Sequence, residues 1–332
     1  MRCINSYGVS EVIGLVMIVM IAVSSISVIV FWGVPYMDSK KVSVRVDSAL
    51  TQFKTINDVI QRVSSEGINK SERVDFVTDA GNVNINDGDR FVFYYSTNNG
   101  FSFNVDNLGD TDDREFNIFG INGGDWSGTG TLFIYYLYTN PPVTESWLVN
   151  PVVNNIITAG IGNEFKNAVK MEFINNNIVY GRIWLFDTGS ISYDLPTSSG
   201  TYSVVAENEG VVRASSGSGY LYYTPKIYHK DNLFTLRITR LQPSGPTGGS
   251  GMNRYEFLIK SDNSSVQENK IHIPINAEFK IRIYGDERIT DAWADYFTSK
   301  HSFNKDENDV LTLDGELYFT LVYSVCDVLM MV

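Results

Sequence analysis

The chain has 332 residues, with 38 acidic against 26 basic side chains and a formal net charge of −12. Aromatic residues at 13% and charged residues at only 19% exclude a disordered chain, which is poor in aromatics and rich in charge. The acid excess argues against a nucleic-acid binder, since phosphate neutralisation requires a basic surface. Two cysteines cannot staple a disulfide-dense scaffold.

The near-neutral average hydropathy hides a segregated chain. Val12 to Met37 is a run of 26 residues with no charge, of which 20 are apolar. As a helix it would span ~39 Å, more than the ~30 Å hydrocarbon core of a bilayer. Residues 1–37 carry one basic and one acidic side chain, Arg2 and Glu11, so the remainder holds 25 basic and 37 acidic residues and the entire −12. A soluble core helix rarely continues so far without a polar face. The run also exceeds the 7–15 apolar residues of a secretory signal peptide and lacks a small-residue cleavage pattern.

A second, amphipathic helix follows. Val46, Leu50, Phe53, Ile56, Ile60 and Val63 recur at three- and four-residue steps between Asp47, Lys54, Asp58 and Arg62. Glu66-Gly67 supplies a stop, because glycine accepts the left-handed conformation. The two helices read as one long rod over residues 10–66, kinked near Gly33–Pro35. Its second half has one apolar face that must pack on something.

From Val74 onward the pattern is of short strands rich in Val, Ile, Phe and Tyr, spaced at roughly ten residues. The predicted strands include Val74–Thr78, Phe91–Ser96, Val179–Phe186, Tyr202–Ala206, Phe234–Leu241, Arg254–Lys260 and Glu316–Ser324. Ala80-Gly81, Asn86-Asp87-Gly88-Asp89 and Asn98-Asn99-Gly100 read as hairpin-type turns. The low-complexity stretch Pro243–Gly251 reads as a flexible hairpin loop between two strong strand patterns. A short helix is expected at Thr290–Ser299, with Trp293 and Phe297 one turn apart. The predicted fold class is α+β, a long N-terminal helix attached to a large, mostly antiparallel β-sandwich head.

Catalytic motifs are absent from the sequence: it has no nucleophile elbow, phosphate loop or dinucleotide fingerprint. The three histidines, His229, His272 and His301, stand apart with no metal-ligand spacing. Cys326, within a terminal strand pattern, reads as a small core residue. Oxygen-rich loops are the nearest thing to a site. Asp106, Asp110 and Asp112 in one loop, and Asp306 to Asp309 in another, offer hard ligands suited to calcium, although neither fits the EF-hand pattern and both also read as solvated turns. No other cofactor is implied. Asn69-Lys-Ser71 and Asn263-Ser-Ser265 are glycosylation sequons.

The N-terminus carries the one specific motif. Gly8-Val-Ser-Glu-Val-Ile-Gly14, running directly into the apolar stretch, resembles the start of archaeal type IV pilin-like surface proteins. Glu207-Asn-Glu-Gly-Val-Val212 and the run from Gly81 to Phe93 resemble the same group more loosely. The resemblance implies a leader of residues 1–8 removed by a prepilin peptidase between Gly8 and Val9. It further implies a filament-core or transmembrane helix at 9–37, its amphipathic continuation at 38–67 and an extracellular head at 68–332. Glu11 would then pair with the new α-amine of a neighbouring subunit. Without the resemblance, its charge simply suits the positive N-terminal end of a helix at the membrane interface. Gly14, Ser24, Ser25 and Ser27 would let helices approach closely.

Lys40, Lys41 and Arg45 after the helix would by the positive-inside rule keep the head in the cytoplasm, whereas the resemblance implies export. The expected partners are the membrane, the peptidase and other pilin-like subunits, and not nucleic acid. The expected function is a single-pass, membrane-anchored surface subunit with an adhesive rather than enzymatic head. The alternative is a single-span anchored binding or enzymatic domain that never polymerises.

Overall fold

The computed structural model describes residues 7–67, 70–97, 115–118, 130–137, 143–149, 155–158 and 168–331. The chain divides into two compact units, Met1–Ser48 and Ala49–Val332.

In the first unit, helix α1 (Tyr7–Val28) leads through a π-helical turn (Ile29–Gly33) into helix α2 (Val34–Glu66). The kink expected near Gly33–Pro35 corresponds to this π turn. Pro35 has no N–H, and its ring would press on the carbonyl one turn back. The turn widens instead, and the Val34 N–H bonds to the Ile29 carbonyl five residues earlier.

In the second unit, the expected apolar stripe of α2 is buried: Leu50, Phe53, Ile56, Ile60 and Val63, joined by Ala49 and Val59. The helix stops at Glu66, and Gly67 takes the left-handed conformation at φ +87°. The head is a mostly antiparallel assembly of three large sheets. The five-stranded sheet runs in the order Ser71–Thr78, Asn253–Ile273, Leu317–Met331, Leu233–Pro243, Tyr228–Lys230. The six-stranded sheet runs Ser218–Tyr223, Gly210–Ser215, Gly200–Glu207, Ser190–Thr197, Asn82–Asn86, Gly248–Ser250. The eight-stranded sheet runs Asn304–Lys305, Leu311–Asp314, Glu278–Tyr284, Arg90–Ser96, Ile178–Asp187, Ala168–Asn175, Gly130–Tyr136, Val143–Val149. A further pair joins Glu115–Ile118 to Asn155–Thr158.

The five- and eight-stranded sheets face one another across an aromatic layer. Phe319 of the first stands 6.0 Å from Phe93 and 5.6 Å from Trp184 of the second, ring centre to ring centre. Phe186 and Tyr323 stack at 4.9 Å across the same interface. Helix α3 (Glu287–His301) covers the expected short helix and extends it by a few residues at each end. Asp286 caps it by accepting the Arg288 N–H, and Trp293 and Phe297 are both fully buried, as their one-turn spacing requires.

Two of the predicted hairpins are corrected. The turns at Ala80-Gly81 and Asn86–Asp89 do not join paired strands. Each carries the chain from one sheet to another, since Ser71–Thr78, Asn82–Asn86 and Arg90–Ser96 belong to three different sheets. The second crossing runs beside another, at Thr188-Gly189, and the two touch through glycines. A Cβ on Gly88 would lie 2.5 Å from the Gly189 nitrogen, and one on Gly189 would lie 2.0 Å from the Leu241 carbonyl oxygen. Only residues without side chains let the three sheets meet there. The third predicted turn, Asn98-Asn99-Gly100, lies outside the described residues.

Pro243–Gly251 is corrected likewise. Its flanking strands share a sheet but are not neighbours, because Leu317–Met331 inserts between them, parallel to one and antiparallel to the other. Gly248–Ser250 itself pairs with Asn82–Asn86.

Candidate functional site: an apolar helix and its anchorage

The feature that departs furthest from an ordinary globular surface is the N-terminal helix. Its most apolar window has a mean hydropathy of 2.8, and none of that window is buried within the chain. Large side chains on every side of it are exposed, from Val12 and Ile13 through Ile21 and Ile26 to Phe31 and Trp32. A helix that is apolar all round and unburied is long and apolar enough to cross a membrane. Two of its hydroxyls are satisfied within the helix. The Ser25 and Ser27 hydroxyls donate to the Ile21 and Val23 carbonyls, each at 2.8 Å, so these two donors are met without water.

The sequence-predicted processing pair, Gly8 and Val9, lies in the first turn of α1, and Glu11 and Gly14 follow on the same helix. A Cβ built on Gly14 would meet nothing within 4 Å, leaving an open notch on the helix surface.

Within the second unit, residues 49–66 are fastened to the head by polar as well as apolar contacts. Ser71–Thr78 is an edge strand, and Gln52 covers it as a neighbouring strand would. Its side-chain oxygen accepts the Val77 N–H at 2.8 Å, and its nitrogen donates to the Val77 carbonyl at 3.1 Å. Arg62 holds Glu72 of the same strand through two hydrogen bonds, keeping the Glu72 carboxyl below its ordinary range. On the six-stranded sheet the contact is the turn Glu207–Gly210. Asn208 and Glu209 both take positive φ, +46° and +61°, an uncommon strain for glutamate. The strained turn is held by α2: Asn57 and Gln61 each donate to the Glu209 carbonyl at 3.0 Å, and the Ser64 hydroxyl donates to its carboxylate at 2.8 Å. Thr239 donates to the same oxygen at 2.8 Å. Burial nonetheless raises the Glu209 carboxyl above its ordinary range. The sequence marked Glu207–Val212 only by resemblance, and the hydrogen bonds reveal it as a socket for the helix.

The loop candidates divide. Asp106, Asp110, Asp112 and Asn69 lie outside the described residues. Asn263 falls within Asn253–Ile273, where the register to Leu317–Met331 slips between Ser261 and Ser265. In the second acidic loop, Asp306 accepts the Asn308 and Val310 N–H groups at 2.8 and 2.9 Å. The Lys305 ammonium sits 2.9 Å from Asp309. Those carboxylates already serve a turn. Among the described residues no three His, Cys, Asp or Glu side chains converge to enclose a metal. Cys326 is fully buried, and its thiol is pushed up to about 12, mainly by desolvation.

The expectation of isolated histidines is corrected, because His229 and His301 approach to 5.8 Å between ring centres. Strand Tyr228–Lys230 and the end of α3 bring them together across 72 residues of chain. His301 is packed among Phe234, Tyr296 and Phe297, and both its ring nitrogens lack hydrogen-bond partners among the described residues. Desolvation, then the neighbouring His229, lowers its pKa from 6.5 to about 4. Above pH 6.5 the ring is neutral folded or unfolded. Between 6.5 and 4 only the unfolded chain takes up the proton, so this group's contribution falls as pH falls. Relative to His301→Phe, the wild-type chain is expected to lose about 3 kcal/mol of unfolding free energy between pH 7 and pH 4. Denaturant titration of both proteins across that window measures it. A pH-independent difference contradicts a buried neutral imidazole.

Comparison with protein-family models, curated proteins and solved structures returned no match to this chain.

Proposed function

We propose that this chain is a pilin-like, membrane-anchored surface subunit. Its apolar helix is held in the bilayer or packed with other subunits in a filament, and its β-rich head is displayed outside the cell for adhesion. One observation carries the reading. An unburied, charge-free helix continues into a segment whose one apolar face and polar side chains are committed to the head. A filament subunit requires such a joint between its core helix and its displayed head. The Gly8–Gly14 motif supplies the processing step, and the open surface at Gly14 suits close helix approach.

Mass spectrometry of the native N-terminus tests the reading. A mature chain starting at Val9 is expected, and Gly8→Val is expected to abolish processing and leave the chain intact. Retention of Met1 or Arg2 in the wild-type protein, or normal processing of the variant, would replace the filament pathway with a simple single-span anchor.

A further inference from the structure

A cavity of about 280 Å³ opens between the six-stranded sheet and the start of α3, and its lining includes Asp89, Ser192, Asp194, Glu207, Asp286 and Arg288. Two of its carboxyl groups are unusual. Glu207 is 1% exposed. Its Oε1 accepts the Asp89 N–H at 2.7 Å and the Thr188 hydroxyl, clasping the two crossings between sheets. Its Oε2 has no hydrogen-bond partner among the described residues. Asp89, 4% exposed, is faced by the Asp286 backbone amide, and its Oδ2 is likewise unpartnered. The Asp89 carboxyl rests against bare backbone: a Cβ on Gly285 would lie 1.9 Å from its Oδ1.

The charges at this cavity do not balance. Among the described residues Arg288 is the one basic residue of the lining, and it is consumed by Asp286, to which its guanidinium donates at 3.0 and 2.6 Å. Asp194 accepts the Ser203 hydroxyl at 2.6 Å and faces the same space. Burial pushes both the Asp89 and Glu207 carboxyls upward, and Glu207 pushes Asp89 further. Two buried carboxyls, each with one oxygen unmet and no basic partner, carry a large desolvation cost that only a proton or a cation relieves. The α3 N-terminus does not make this an anion site, since the Asp286 carboxylate already takes the Arg288 amide and the Asp89 carboxyl the Asp286 amide.

We propose that Asp89 and Glu207 anchor a hard divalent cation, calcium, between the Asp87–Asp89 crossing and strand Gly200–Glu207. The lining offers oxygen donors, with the Ser190, Ser192 and Ser203 hydroxyls beside the carboxylates, and among the described residues it contains no His or Cys. That donor set suits calcium and disfavours zinc or copper. Two carboxylates supply the charge, and the cavity has room for the waters that complete six to eight oxygen ligands. A bound ion would tie the crossing to the strand. The site is independent of how the N-terminal helix is used.

The test uses the full-length chain in detergent, stripped with chelator, then titrated with calcium chloride by calorimetry and followed by thermal unfolding. Calcium is expected to bind and to raise the melting temperature, where sodium chloride of equal ionic strength does not. Asp89→Asn and Glu207→Gln, which keep the side-chain volumes, are each expected to weaken this binding at least tenfold. The calcium titration of the wild-type chain does not depend on either variant folding. No calcium binding at about 1 mM overturns the proposal in favour of a shared proton. Binding that survives both substitutions also overturns it and assigns the ion to another loop.

Discussion

Placing arginine at both Ile21 and Ile26 is expected to release the chain from membranes. The two residues lie near the middle of the charge-free run, and both are exposed. They are five positions apart, so they project from different sides of the helix, and one neighbouring polar group cannot shelter both charges. Each arginine at a helix centre costs about 2.5–3.5 kcal/mol of insertion free energy. Together they cost roughly 6 kcal/mol, about four orders of magnitude in the partition between membrane and water. The measurement is carbonate extraction followed by fractionation, with the wild-type chain in the pellet and the double variant in the supernatant. Arg45→Ile, beyond the run, is the control that should stay with the membrane. A double variant that still pellets as firmly as wild type contradicts a spanning helix.

Phe319→Ala is expected to destabilise the head by about 3–5 kcal/mol, the usual cost of removing a buried aromatic ring. Phe319 is the hub of the aromatic layer, with Phe93, Trp184, Phe234 and Phe279 all within 6.0 Å of its ring centre. These rings come from both facing sheets and close around it from several directions, so the vacated volume cannot collapse without moving a strand. For a domain of this size the melting temperature should fall by roughly 10 °C. Tryptophan fluorescence reports it directly, because Trp184 packs against Phe319. Tyr220→Ala, on an exposed edge strand, is expected to cost under about 1 kcal/mol. Equal losses from the two substitutions would place the core elsewhere.

Much of the architecture was legible residue by residue. The apolar run of α1 shows itself by the absence of charge, and the stripe of α2 by its three- and four-residue steps. The α2 stop shows itself through a glycine that the helix end places at positive φ. Strand Arg90–Ser96 was visible for the same reason, although it is buried on both faces rather than one. Strands Ser190–Thr197 and Gly210–Ser215 were missed. The first contains a proline and an aspartate that weaken the strand signal, and the second has only Val211 and Val212 as β-branched apolar residues. Their state is decided by neighbours that cover them.

The sequence by itself determined the two materials of this protein: a charge-free helix, and an acidic, strand-rich head with an amphipathic helix fitted to it. Local periodicity and charge suffice for that, because each element's exposed and buried faces are written at spacings of two or of three to four residues. Only the tertiary structure decided which strands are partners. It turned apparent hairpins into crossings between sheets and drove the last strand, Leu317–Met331, between two that are consecutive in the chain. It also brought Glu207 to the Asp89 amide from 118 residues away, and set His229 beside His301. Such pairings depend on how much surface distant elements bury together, a quantity that no local pattern contains.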